Sequence, residues 1–267
     1  MDHAGAPQHS FVVPAYGVSP HLRECLASLR AQTVPSPVVI ATSTPSPALE
    51  QIAAEFGAGL AVHGPNAGIG RDWNFALSKA TTPWATIAHQ DDLYLPTFTE
   101  STLALASRHP EAVLVATGYG ELLEPEGVRR ARSPMLLIKR VLMELAFLGR
   151  GAVGSRGAKR RLLRFGCPIP CPSVSLRLDR VSPRFREDLR VDLDWEAWWR
   201  LAAMPGAFAY DRRVLMLHRI HRGSETSAGV RDGVRAAEDR MMFDTMWPAP
   251  VARLLARAYA LSYEEGA

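Results

Sequence analysis

Two adjacent carboxylates, Asp91 and Asp92, sit in the segment Ala88-His-Gln-Asp-Asp-Leu-Tyr-Leu-Pro96, directly after an apolar run. Side by side they repel, and burying them without partners is costly. A divalent cation bridging phosphate oxygens would give them a reason to be neighbours; capping of the following turn by either one is the plainer alternative. A second group, Asp192, Asp194 and Glu196, lies in Asp188-Leu-Arg-Val-Asp-Leu-Asp-Trp-Glu-Ala-Trp-Trp-Arg200, at the entry to a helical pattern. A carboxylate at a helix start is kept ionised by the helix dipole. That suits a general base, with N-capping by Asp192 or Asp194 as the alternative. The third group, Leu217-His-Arg-Ile-His-Arg-Gly-Ser-Glu-Thr226, sets His218 and His221 beside Arg219 and Arg222. Imidazole binds divalent metals and guanidinium binds phosphate through paired hydrogen bonds.

Three weaker groups occupy the N-terminal part: Pro14-Ala-Tyr16-Gly17, Ala41-Thr-Ser43-Thr44 and Asn66-Ala-Gly68-Ile-Gly70-Arg71-Asp-Trp-Asn74. Tyr16 offers an aromatic face to a nucleobase. Gly68 and Gly70 permit close backbone approach, but their spacing is not G-x-G-x-x-G, so no dinucleotide fingerprint is present.

The elements that must position these groups follow from hydrophobic period. Short apolar runs at Ser10–Pro14, Pro37–Ala41, Leu60–His63, Trp84–Ala88 and Val113–Thr117 read as strands, the first two of them buried. Helical patterns at Pro20–Arg30, Ala48–Phe56, Arg71–Ala80 and Thr97–Ser107 separate them. This alternation predicts an α/β fold with a mostly parallel central sheet flanked by helices. Ligands then bind beyond the carboxyl ends of the strands, where all three N-terminal groups fall. After residue 120 the pattern changes. A long helix, Met135 to Leu148, is followed by a glycine-rich hinge, Gly149–Gly157, and a short basic helix, Ala158–Phe165. Val174–Leu178 returns to the sheet and Trp195–Ala203 is helical. Phe208–Tyr210 and Val214–His218 read as two strands, and helices at Val230–Trp247 and Val251–Tyr263 close the chain. We expect one continuous domain: a nucleotide-handling half over 1–120 and a second half over 121–267, with a helical insertion at about 133–166.

The 267 residues are 47% hydrophobic and 22% charged, which excludes global disorder and fibrous repeats. The formal charge is +4, but it is local. Glu121 to Gly166 holds eleven Lys and Arg against four Glu, and the rest of the chain is net negative, so a nucleic-acid wrapper is not expected. Cys25, Cys167 and Cys171 form no disulfide framework, and Cys167 and Cys171 lack the second ligand pair that structural zinc needs. The N-terminal stretch is polar, and the apolar run from Met135 to Leu148 is broken by Lys139, Arg140 and Glu144. A soluble, cytoplasmic protein is therefore expected.

Taken in order, strand–Pro-Ala-Tyr, Cys-Leu-x-Ser-Leu-x-x-Gln-Thr, Asn-x-Gly, Asn74, Asp-Asp after a strand, Asp-Trp-Glu and Arg219-Ile-His221 resemble the family-2 inverting glycosyltransferases, over roughly residues 10–225. The His-Gln-Asp-Asp variant is similar to bacterial members acting in polysaccharide or secondary glycan assembly. The resemblance implies a GT-A-like single domain, a nucleoside-diphosphate sugar donor, a hydroxyl acceptor (glycan, lipid-linked or secondary metabolite) and Mn2+ or Mg2+. It implies Asp194 as catalytic base. Asp92 and His221 would hold the metal. Pro14, Tyr16, Ser43, Asn66, Gly68, Arg71, Asn74, Asp91, Arg219 and Arg222 would face the donor, and Ser173, Trp195 and Glu196 the acceptor. Family members carry an acid after the second strand that binds the base. Residues 41–45 carry none, which leaves Ser43 or Asp72 for that task. The basic block is read as an acceptor or membrane-surface contact through 135–165, with Lys159, Arg160, Arg161 and Arg164 at its centre, or as a solvated helix pair. A nucleotidyltransferase on a similar sheet is the rival enzyme, but Pro14–Pro20 has no Lys or Arg for a phosphate loop. A non-catalytic nucleotide-sugar or glycan-binding module is the third reading.

Overall fold

The computed structural model describes residues 7–260 except Ala67, Arg222 and Ser224; the side chains of residues 225–227 are likewise outside the description. Arg222, expected at the donor, therefore lies outside the described residues. In chain order the elements are β1 (His9–Ala15), α1 (Leu22–Arg30), β2 (Val38–Thr42), α2 (Pro47–Glu55), β3 (Gly59–Val62), α3 (Ile69–Leu77), β4 (Trp84–Ile87), β5 (Leu93–Tyr94) and α4 (Phe98–Arg108). They continue with β6 (Ala112–Leu123), β7 (Val128–Arg130), α5 (Pro134–Phe147), β8 (Ala152–Val153), α6 (Arg156–Leu163), β9 (Val174–Arg177), α7 (Leu193–Ala203), β10 (Ala207–Ile220), α8 (Glu225–Arg231), α9 (Val234–Met246) and α10 (Ala249–Ala260). Ser46, Ser133 and Ser155 start α2, α5 and α6 by accepting a backbone N–H in the first turn, and Pro47 and Pro134 take the first helical position, where no donor is needed.

One ten-stranded sheet runs through both halves, in the order β3-β2-β1-β4-β9-β6-β10-β5, with β7 on β6 and β8 on β10. The β3-β2-β1-β4 part is parallel, as is β6–β10. β9 joins these two parts antiparallel to both, so the sheet is mixed rather than parallel throughout. Both faces are covered, which is why β1 is apolar without alternation. Phe11, Val13 and Ala15 pack with α1 and α2, while Val12 packs on the other face with Trp73 of α3. Pairing of β1 with β4 ends at Val12↔Ile87, whereas β1 continues along β2 to Ala15↔Thr42. The strands part there, and the crevice lies at the parallel sheet's carboxyl end.

Several elements differ from the sequence reading. The two strands expected at 208–210 and 214–218 are one strand, β10, with register shifts around Asp211–Val214. The polar Asp211-Arg212-Arg213 stretch breaks the apolar run without breaking the strand. Gly118 of β6 makes room for it: a Cβ there would lie 2.7 Å from the Arg213 carbonyl oxygen and 2.8 Å from that of Arg212. The glycine-rich hinge contains β8 and the start of α6. The helix expected from Val230 is interrupted at Gly233, whose φ of 73° is left-handed, so α9 begins at Val234. Lys159 is not at the surface: it is buried and donates to the carbonyls of Met204 (2.7 Å) and Gly206 (2.8 Å).

Helix α3 is fastened to the loop before α7. Asn74 donates to the Phe185 carbonyl (2.9 Å) and accepts from the Phe185 N–H (2.8 Å). Gly70 lies against the Arg186 carbonyl with no room for a Cβ. Gly70→Ala should therefore destabilise the fold by about 1–3 kcal/mol, the usual cost of overpacking, measured by urea denaturation. An unchanged midpoint would show that this contact yields freely.

Candidate functional site

The acidic pair is placed by strand pairing. β5 runs antiparallel to β10 with Leu93↔Leu217 and Tyr94↔Met216. Continuing that register sets Asp92 opposite His218 and Asp91 opposite Arg219. Asp92 has no solvent exposure; its Oδ1 accepts from the Arg219 N–H (2.9 Å) and lies 3.0 Å from His218 Nδ1. Asp91 is more open, and its Oδ2 lies 2.7 Å from His221 Nε2. Burial opposes ionisation of Asp91, but the His221 hydrogen bond and the nearby His89, His218 and His221 rings hold its pKa down at about 2. Burial is the largest single effect on both rings; at His218 the Asp92 and Asp91 carboxylates together overcome it and raise the pKa, whereas at His89 burial wins and lowers it.

His89, Asp91 and Asp92 bring one ligand atom each to within 4.8 Å of one another. Asp92 Oδ2 and His89 Nε2 are buried without hydrogen-bond partners. A divalent cation fits this group: the donors are two carboxylates and an imidazole, with a buried oxygen left to coordinate. His89 enters as a candidate ligand that the sequence reading did not single out. His221, expected as a ligand, sits on Asp91.

Arg219 was expected to meet the donor's phosphates, and the structure corrects this. It is 2% exposed, donates from Nε to the Asp91 carbonyl (2.7 Å), and pairs with Glu24 (2.6 Å) and Glu124. Its guanidinium is consumed in bracing the Asp91 turn against α1 and β6. Asn74 is corrected likewise, because both ends of its amide are spent on Phe185.

Asp194 lies in the first turn of α7, partly buried. Its Oδ2 accepts from the Cys171 N–H (3.0 Å) and its Oδ1 from the Trp195 N–H (2.7 Å). Burial dominates these two bonds and lifts its pKa to about 6. Cys171 begins a short 3-10 turn, Cys171–Ser173, and Tyr94 donates its hydroxyl to the Pro172 carbonyl (2.8 Å). One bridge thus connects the acidic pair, through β5 and Tyr94, to the turn that holds Asp194. On the other side, Glu238 of α9 accepts from the N–H groups of Arg190, Val191 and Asp192, each at 2.8 Å, and fixes the approach to α7. Nothing near it in sequence marks Glu238 for that role. Asp192 is nearly buried against Asp239, and burial first, then this neighbour, raises its pKa well above the carboxylate range. Asp192 does not cap the helix through its side chain.

Two expected acceptor residues are corrected. Trp195 is fully buried, its ring against Phe243 and Tyr259 and its Nε1 donating to the Leu163 carbonyl (2.9 Å). Ser173 is equally buried and donates to the Pro170 carbonyl (2.8 Å). Neither side chain meets an incoming acceptor. Glu196 is partly buried and bonded to Arg200 (2.7 Å).

At the crevice, Tyr16 follows β1 and is 59% exposed, and Pro14 lies just beyond the last β1–β4 pair. Gly17 donates to Thr44 Oγ1 (2.7 Å), which ties the ends of β1 and β2 together. Asn66 accepts from the Gly68 N–H (3.1 Å), and Gly68, with φ 101°, turns the chain into α3. Arg71 is half-buried in the first turn of α3. Asp72 is nearly buried, 3.0 Å from His63 Nε2 and 3.4 Å from the Ser43 hydroxyl. The two residues weighed as alternatives for the base are therefore neighbours, and α3 supplies an acid at the end of β2.

Arg219→Ala would leave two carboxylates and a carbonyl without their cation. Glu24 and Glu124 are partly solvated, so the expected loss is about 2 kcal/mol, below that of a fully buried pair. Thermal or urea unfolding reads it; wild-type stability would mean the bracket carries no load.

Residues 10–181 match the profile of glycosyl transferase family 2. An uncharacterized glycosyltransferase of Rickettsia bellii is 22% identical over 222 residues, 80% of this chain, and the chain spans 30% of that relative's length. Among solved structures, Staphylococcus aureus TarS in complex with UDP-GlcNAc aligns with a TM-score of 0.61 at 16% identity, over 95% of this chain and 71% of that one. A mannosyltransferase from Pyrobaculum calidifontis, in complex with GDP-Man and Mn2+, aligns with a TM-score of 0.59 at 17% identity, over 96% and 70%. These two likenesses concern the fold.

Proposed function

The chain belongs to glycosyl transferase family 2, and on that premise we propose that it transfers a sugar from a nucleoside-diphosphate sugar to an acceptor hydroxyl with inversion, as a hexosyltransferase of polysaccharide or related glycan assembly. The observation that carries the reading is Asp194. Its carboxylate is held by two backbone amides in a helix first turn, has a pKa of about 6, and is bridged through Tyr94 to the acidic pair. A base with a pKa just below neutrality is ionised when needed and still basic enough to take a proton.

In this reading Asp194 accepts the acceptor's hydroxyl proton. The oxygen's electron pair attacks the anomeric carbon from the side opposite the diphosphate. The carbon–oxygen bond to the diphosphate breaks, and the nucleoside diphosphate leaves with that electron pair. His89, Asp91 and Asp92 would hold Mn2+ or Mg2+. A divalent cation there supplies charge neutralisation for the departing diphosphate. Tyr16 stacks on the base, and Asp72, whose Oδ1 is buried beside His63 without a hydrogen-bond partner, accepts a hydrogen bond from it. We place the reaction in the cytoplasm, at the inner face of the membrane, with the acceptor approaching from the side of residues 121–166.

Asp194→Asn should cut turnover by at least about a thousandfold while nucleoside-diphosphate binding is retained. In the wild type, kcat/KM should fall about tenfold per pH unit below about 6, because a carboxyl with a raised pKa is protonated, and so no base, below that value. Full activity of the asparagine variant, or a flat profile through pH 6, would remove the mechanism.

A buried carboxylate only accepts hydrogen bonds. Asp72 can accept from the ring N–H of uracil or guanine, the bases of the nucleotide sugars bound by the two structural neighbours, whereas cytosine and adenine offer only an exocyclic amino group, so we assign it to a uracil or guanine nucleotide. Calorimetry with UDP, GDP, CDP and ADP in Mn2+ should show that preference, and Asp72→Ala should weaken the preferred ligand about tenfold. Tightest binding of CDP or ADP would refute the assignment.

A further inference from the structure

Helix α5 has an apolar face with no partner among the described residues. Leu137, Ile138, Val141, Leu145 and Leu148 recur at helical spacing and are each between 49% and 64% exposed. The opposite face, with Leu136, Met143, Ala146 and Phe147, already packs on the core. A globular helix with water on one side normally carries polar residues there, and an aliphatic stripe of this size marks an interaction surface.

The charges around the stripe narrow the partner. Exposed Arg129, Arg130 and Arg132 precede α5; Arg150, Arg156, Arg161 and Arg164 follow it, the last three in and just after α6, which packs against α5. The acid on α5, Glu144, is occupied by Arg212 (2.5 Å). A second copy of the chain would set arginines against arginines. A surface of lipid phosphates over hydrocarbon matches both features, cations outside and aliphatics within.

A groove of about 200 Å3 opens beside the stripe, between α5 and α10. Ile138, Leu142, Phe165, Leu255 and Tyr259 line it, as do Lys139 and Cys167. Phe165, itself 45% exposed, continues the apolar surface to its mouth. Cys167 begins the loop that reaches Cys171, whose N–H holds Asp194.

We infer that α5 docks the chain on an anionic bilayer, its apolar face in the interfacial zone and the flanking arginines on lipid phosphates, and that the groove between α5 and α10 takes the hydrocarbon chain of a bilayer lipid. Resting on the transfer reading above, this makes the acceptor a molecule delivered from the membrane side, toward Asp194. It narrows the broad 135–165 contact to one face of α5 and brings in α10.

Flotation of the full chain tests it, with vesicles of phosphatidylcholine alone and with a third of the lipid replaced by phosphatidylglycerol. Binding should require the anionic lipid, fall with added salt, and drop at least about tenfold in a Val141→Asp, Leu145→Asp variant. Both residues are exposed, so the variant should keep the wild-type melting temperature and its stabilisation by nucleoside diphosphate with Mn2+. No flotation, equal flotation on neutral vesicles, or flotation unaffected by the variant would overturn the inference. So would a dimer in sedimentation that the variant dissolves, since the face would then belong to a second copy. Loss of the nucleotide effect in the wild type would instead undo the transfer reading.

Discussion

The site hangs on a carboxylate that water does not reach. Asp92 is sealed between the Arg219 amide and His218. Those two bonds settle where the short strand β5 meets the end of β10. From that one register follow the exposure of Asp91, its contact with His221, and the place of Tyr94 beneath the Cys171–Ser173 turn. A one-residue slip would turn every one of these side chains to the other face. A carboxylate without water needs compensation, and β10 provides it with one backbone amide and one imidazole.

Around that anchor the polar groups divide into those that position and those left open. Arg219, Asn74 and Glu238 are fully engaged with backbone or carboxylate partners and set loops in place. Tyr16 is exposed, Asp91 keeps partial exposure beside His221, and Asp194 is a carboxylate whose basicity burial has raised. Burial pushes Asp194 up while a histidine pulls Asp91 down. Two carboxylates of one type thus differ by several units in acidity, one suited to charge neutralisation and one to proton transfer.

Much of this was legible in the chain itself. The apolar strands, the helices between them and the three acidic or basic groups lie where hydrophobic period put them, because those signals are local. The misplaced side chains share one cause, partners distant in sequence. Trp195 reads as a platform until Phe243 and Tyr259 cover it. Asn74 and Arg219 read as ligand contacts until Phe185, Glu24 and Glu124 take their donors. β5 is two residues long, too short for any periodicity, and β10 carries charged residues at a bulge that mimic a break. His89 is not singled out by its sequence, and only its distance to Asp91 and Asp92 makes it a ligand candidate.

The clamp between α3 and the loop ahead of α7 has a wider meaning. Asn74 grips the Phe185 backbone in both directions and Gly70 lets the Arg186–Glu187 backbone rest on the helix. The helix bearing Asp72 and the segment leading to Asp194 are thereby a single stiff strut. In the proposed reading the span from Asp72 to Asp194 is then a fixed gauge, set by the chain and by the two bonds of the Asn74 amide to the Phe185 backbone. A substrate that uses both ends would be selected by reach before any selection by chemical taste.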